Sequence, residues 1–175
     1  ITPKEEIIAA AREMEARGEK FVLWAGHGRI FGLDFYVSLD TMQKMLEAAP
    51  NALQGFVFAE LEQTDEALKN DIERLLIPLA DSCAKYGNKK ILLRNKNIFW
   101  NGNAYHPVWR DLLLGGKYRS VFVPSMEETN CRTQELSLSG REGLWMTGKF
   151  DHISARTVTD NATYSRCWEW GQQRL

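Results

Sequence analysis

Carboxylates, amides and cations recur in this sequence just after short apolar runs, and paired carboxyl groups are the chemistry their spacing supports best. Ser125-Met126-Glu127-Glu128-Thr129-Asn130 sets two acids side by side after the run Val121 to Val123. In an extended chain adjacent side chains point to opposite faces, so one of Glu127 and Glu128 can enter a site while the other braces a neighbour. One of them is expected to act as general acid, general base or nucleophile; as helix-start acids both would instead favour a helix dipole. Glu60-Leu61-Glu62 presents acids at alternate positions, on one face if the strand continues that far, where they can share a proton or bind a hydroxyl-rich ligand. A solvated strand exit before a helix cap at Thr64-Asp65 explains the same residues. Asp160, beside Asn161, is the third acidic position.

Cations and aromatic rings accompany these acids. Arg94, Asn95 and Lys96 follow the run Ile91 to Leu93, and Arg156 stands in the run Ala155 to Val158. The cations either pair with the carboxylates or face an anionic substrate group such as a sulfate or uronate. Flat aromatic faces beside amides and acids suit sugar rings, which offer apolar C–H faces and hydroxyl edges. Trp24, Trp100 and Trp168, with the amides of Asn95, Asn130 and Asn161, are the substrate-binding candidates. Trp109 and Trp145 lie in helical patterns and are expected in the core.

His27, between two glycines, is expected at an exposed turn where it donates to substrate, whereas His106 before Pro107 reads as a loop or cap residue. The three histidines form no H-x-x-x-H or H-x-H set, and a metal site would have to be assembled from His27, Glu60 and Asp160 across strands. No metal or other cofactor is expected. Cys83, Cys131 and Cys167 are odd in number and widely spaced, which reads as idle thiols rather than a disulfide framework.

These residues need elements that bring them to one edge. Apolar runs of β type, Phe21 to Trp24, Gly55 to Ala59, Ile91 to Leu93, Val121 to Val123 and Ala155 to Val158, alternate with helical patterns. A first helix is expected from a Thr2 cap to Arg17, with Gly18 as its stop, and a second opens at Ser38-Leu39-Asp40. A long one spans Asp65 to Tyr86, kinked or divided at Pro78, and a short one runs from Pro107 to Leu114. An interrupted helical segment follows from Thr133 to Thr147. Run ends at Glu60, Arg94, Glu127 and Asp160 fall 34, 33 and 33 residues apart, close to the size of a βα unit. The fold class is α/β: a parallel (β/α) barrel, about five βα units of a larger (β/α)8 barrel, which typically takes about 250 residues. An open doubly wound sheet would carry a glycine-rich phosphate turn, and Gly26-His27-Gly28 lacks both the third glycine and the helix directly after it.

The 175 residues, 44% of them hydrophobic, suit one domain, with no boundary inside residues 1–175. A formal net charge of -1 lacks the footprint of a nucleic-acid partner. No apolar run is long enough to span a membrane. The start without Met and the end without a closing signal read as a piece of a longer protein, secreted or periplasmic if its parent carries a signal peptide.

The combination of Gly26-His27-Gly28, Leu93-Arg94-Asn95-Lys96, the run from Val123 to Asn130 and Thr157-Val158-Thr159-Asp160-Asn161 resembles the interior of a (β/α)8-barrel glycoside hydrolase of the polysaccharide-active, lambda-carrageenase type. That resemblance implies a carbohydrate substrate and a catalytic carboxylate pair. In many such barrels the acid/base glutamate directly follows an Asn, whereas here the order is Glu128-Thr129-Asn130, a departure from the pattern. Their nucleophile lies late in the barrel, beyond what this chain is expected to span. A metal-assisted barrel hydrolase and a non-catalytic carbohydrate-binding barrel are the alternative readings.

Overall fold

The computed structural model describes residues 3–30, 33–60, 66–95, 105–126, 139–140 and 142–155. Its strands are β1 (Phe21–Ile30), β2 (Leu33–Tyr36), β3 (Leu53–Ala59), β4 (Lys90–Asn95), β5 (Phe122–Met126) and β6 (Ser154–Ala155), joined in one sheet of order β2-β1-β3-β4-β5-β6. From β1 through β3, β4, β5 and β6 each neighbour is parallel. The parallel strands thus follow chain order with no reversal. A doubly wound sheet reverses its order at a switch point, so this is the winding of a (β/α) barrel.

The second strand is a departure from the expected pattern. β1 does not stop at Trp24 before a turn; it continues to Ile30, and β2 returns antiparallel with Gly26 opposite Tyr36, His27 opposite Phe35 and Ile30 opposite Leu33. The register slips between Trp24 and Gly26 and again between His27 and Ile30. Glycine in a strand interior often marks such an irregularity, so Gly26 and Gly28 signal bulged strand rather than its end.

Helix α1 (Lys4–Arg17) takes Pro3 as its cap position and ends at Gly18, whose φ of 70° is the left-handed conformation glycine adopts without strain. Helix α2 (Leu39–Ala48) is capped by Ser38, whose hydroxyl accepts from the Thr41 N–H at 3.3 Å. Helices α3 (Glu66–Asp71) and α4 (Ile77–Lys85) are joined by a π-helical turn, Ile72–Leu76, in which the Ile77 N–H donates to the Ile72 carbonyl. That wider turn ends two residues before Pro78, which has no N–H to give and whose ring crowds the preceding turn, so the division expected there is placed a few residues earlier. Helix α5 (Pro107–Leu113) opens with a proline and is capped by His106, whose Nδ1 accepts from the Val108 N–H at 3.4 Å. Residues 142–146 are helical, and Thr2 lies outside the described residues.

Helices pack on one face of the sheet. Phe56 and Phe58 of β3, Ile91 and Leu93 of β4 and Phe122 of β5 alternate onto that face, in one core with Ile8 and Ala11 of α1, Met42 and Leu46 of α2, Leu79 and Cys83 of α4, and Trp109 and Leu112 of α5. Trp109 is wholly buried, as expected, but Trp145 is 48% exposed. In that helical turn the adjacent Leu144 enters the core instead, a difference of one residue that rotates the indole outward. Gly55 has β4 close against it: a Cβ there would stand 2.2 Å from the Lys90 carbonyl oxygen. The opposite face of the sheet carries Val22, Trp24, Val57, Ala59, Leu92, Arg94, Val123 and Ser125, and it is open toward β1, where Val22 is 47% exposed.

Candidate functional site

Parallel strands put their carboxyl ends on one rim, and the described site candidates meet there. β3 ends at Ala59, in register with His27 of β1 and Arg94 of β4. Asn95 closes β4 in register with Met126, the last residue of β5, and Met126 pairs in turn with Ala155. The described ends of four neighbouring strands therefore fall within one or two residues of a common line; Glu127, next in sequence after β5, lies outside the described residues.

Glu60 leaves β3 with a φ of 57°, left-handed geometry that is uncommon for a residue with a side chain. Its N–H still donates to the Arg94 carbonyl at 2.8 Å, which holds the turn against β4. The regular strand ends at Ala59, and Glu62 lies outside the described residues. A backbone strained at a functional edge costs of order 1–3 kcal/mol and persists only where its surroundings enforce it. The consequence is a carboxylate aimed back toward β1, with Oε2 3.6 Å from His27 Nε2. Both side chains are partly exposed, and the other imidazole nitrogen, Nδ1, is buried with no hydrogen-bond partner among the described residues. His27 is thus on a strand, and its imidazole faces Glu60 across β1 and β3.

Trp24 and Arg94 form the second half of the cluster. Both lie on the open face of the sheet, and the Arg94 guanidinium carbon stands 4.1 Å from the centre of the Trp24 ring. Such a cation–π contact is worth about 2 kcal/mol when the cation is desolvated, and Arg94 is only 7% exposed. Trp24 is 48% exposed, and its ring lies within 14° of parallel to the His27 imidazole, centres 6.2 Å apart. Ser125 is buried on the same face, in register with Arg94. The cluster therefore combines a carboxylate, an imidazole, a half-open indole and a buried cation. It can hold a polar, hydroxyl-bearing ligand against an aromatic face. Among the described residues no group of three or more His, Cys, Asp or Glu side chains is arranged to hold a metal ion.

Of the sequence-predicted site residues, Trp24, His27, Glu60, Arg94 and Asn95 are brought to this rim. Glu62, Lys96, Trp100, Glu127, Glu128, Asn130, Arg156, Asp160, Asn161 and Trp168 lie outside the described residues. Sequence reasoning gave no role to Ala59 and Ser125, which read there only as the tail of one apolar run and the start of the segment that carries two acids. Their signal was register, which appears only when strands are paired. A groove of about 550 Å³ between the π-helical turn and α5, lined in part by Ile72, Ile77, Val108 and Leu112, belongs to the helix layer; among the described residues its lining comes from helices and turns.

Comparison with known proteins agrees with this architecture. The catalytic module of a family 98 glycoside hydrolase from Streptococcus pneumoniae TIGR4 superimposes with a TM-score of 0.68 at 17% identity, over 90% of this chain and 27% of that one. It shows the same fold. Two lambda-carrageenases, from Pseudoalteromonas carrageenovora and another Pseudoalteromonas, are each 31% identical over 152 residues, which is 87% of this chain. The chain spans 16% of the length of each. Residues 2–175 match the model of the lambda-carrageenase middle domain. With nearly its whole length inside that match, the chain belongs to the lambda-carrageenase middle domain family.

Proposed function

We propose that this chain is part of a glycoside hydrolase that cleaves a polysaccharide through paired carboxylates at strand carboxyl ends, without a cofactor. The observation that carries the reading is the common rim: Glu60 stands directly after β3 beside His27, the ends of β3, β4 and β5 lie in register, and in the sequence Glu127 and Glu128 come next after Met126, the last residue of β5. Glycosidic cleavage needs two carboxyl groups roughly 5 to 9.5 Å apart, one protonating the leaving oxygen and the other attacking the sugar or activating water. Glu127 or Glu128 is the general acid in this reading, and Glu60, Glu62 or Asp160 is its partner. In this reading Asn95, Lys96, Trp100, Asn130, Arg156, Asn161 and Trp168 bind the polysaccharide together with Trp24 and His27, and Arg94 contributes at the same place through its contact with Trp24. The relatives' name makes lambda-carrageenan the first substrate to try.

Residues 1–175 act in this reading as a single domain that supplies about five units of a longer barrel. The open sheet face and the small share of each relative that the chain spans support it. The test is product release from a panel of polysaccharides by the protein carrying this chain, beside its Glu127→Gln and Glu128→Gln variants. Loss of about 10²- to 10⁴-fold in turnover at one position, with binding largely kept, identifies the acid. Full activity in both variants refutes the assignment.

A further inference from the structure

Arg94 and Trp24 touch although their strands are not neighbours. β3 runs between them, and the residue it presents beside Arg94 is Ala59, wholly buried and in register with Arg94 on one side and His27 on the other. A larger side chain at position 59 would occupy the space the guanidinium crosses. The result is asymmetric: the cation is 7% exposed while the ring above it keeps about half its surface open. A guanidinium is planar and stacks on an aromatic face, which an ammonium does not do in the same way. A ring already held in place loses less conformational freedom when a ligand lies on it.

We propose that Arg94 is a positioning residue that holds the Trp24 ring as a stacking platform for a sugar unit of the substrate, and that it acts through Trp24 rather than by touching the glycan. This deepens the carbohydrate reading above and rests on it. The opposed role, Arg94 meeting an anionic group of the substrate, requires a cation open to solvent. Here the cation is buried and lies against the indole.

The test is a double-mutant cycle in the protein carrying this chain, with kcat and KM measured on whichever polysaccharide it cleaves and thermal melting run in parallel. Arg94→Lys is expected to raise KM about fivefold with kcat within about twofold, since it keeps the charge and loses the planar stack. Trp24→Ala is expected to raise KM about tenfold, and adding Arg94→Lys to it is expected to change KM by less than about twofold. Trp24→Phe, at a half-exposed position, keeps the fold and is expected to fall between wild type and Trp24→Ala. If the full Arg94→Lys effect persists in the Trp24→Ala background, Arg94 meets the substrate itself and the proposal fails. If both Trp24 variants lower the melting temperature without moving KM, the ring is a covered core side chain and the proposal fails in another way. Wild-type protein that neither binds nor cleaves any glycan overturns the carbohydrate reading itself, a result distinct from either kinetic pattern.

Discussion

At the scale of single residues, backbone conformation and register decide what each side chain can reach. Glu60 faces His27 because its left-handed φ ends β3 and turns the carboxylate back, and Arg94 reaches Trp24 because Ala59 leaves room between them. Packing on the other face is as specific. Trp109 is wholly buried in the core beneath the strands, so Trp109→Ala removes the largest side chain there and leaves a void that neighbours fill only in part. A loss of about 3–5 kcal/mol is expected in chemical denaturation, with the slope of the transition unchanged. A loss under about 1 kcal/mol would mean that the site collapses freely. Cys83 in the same core has its thiol pushed up to about 12 by burial, which fits an idle, unreactive side chain.

At the scale of elements, polar contacts at the other end of the strands tie helices to loops. Tyr118, just before β5, donates its hydroxyl proton to Asp81 of α4 at 2.9 Å, and the Lys117 ammonium donates to the same carboxylate oxygen at 3.3 Å. The Tyr118 hydrogen bond, followed by that of Lys117, holds the Asp81 carboxyl below its ordinary value of 3.8. A depressed carboxylate stabilises the fold fully above the unfolded value and loses that effect as pH falls through the lower, folded one. Stability is therefore expected to decline below about pH 4, and Asp81→Asn is expected to flatten that decline while lowering stability slightly at neutral pH. Melting temperatures measured from pH 7 to pH 2.5 check this; an identical slope in the variant would show that the contact contributes nothing. Glu15 plays a matching part between α1 and the start of β3. It accepts from the N–H of Ala52 at 2.6 Å and from both nitrogens of Asn51, and the Ala52 bond, the largest cause, lowers its carboxyl in the same direction.

At the scale of the whole molecule, the sheet is covered on one face and partly open on the other. Val22 and Trp24 expose close to half their surface on the open face, and among the described residues the sheet ends at β6, Ser154–Ala155. Exposed apolar surface and unpaired strand edges both favour association. Residues 1–175 expressed alone are expected to form oligomers or to melt without a sharp transition. Sedimentation and calorimetry on that piece decide the point: a monomer with a sharp cooperative melt would contradict the view that further strands complete the barrel. Among the described residues no helix is long and apolar enough to cross a membrane.

Local pattern by itself determined much of this protein. The stop of α1 at Gly18, the Ser38 cap of α2, the Pro107 start of α5 and the alternation of apolar runs with helices depend on interactions within a few residues, and each is written in its own stretch of chain. The same holds for the expectation that strand ends gather on one rim, since parallel strands joined by helices must end together. Tertiary structure alone decided that Gly26-His27-Gly28 lies inside a bulged strand, because the partner that keeps it extended is β2, a strand the alternating pattern did not reveal. It also decided that Trp145 faces outward and that Glu60 meets His27. The contact of Arg94 with Trp24 has the same origin: residues 70 positions apart in sequence meet only because register across three strands, with a small residue on the middle one, brings them onto one face. Sequence spacing encodes periodicity along a chain; which periodic runs lie side by side, and how far each is slid, is fixed by packing between them.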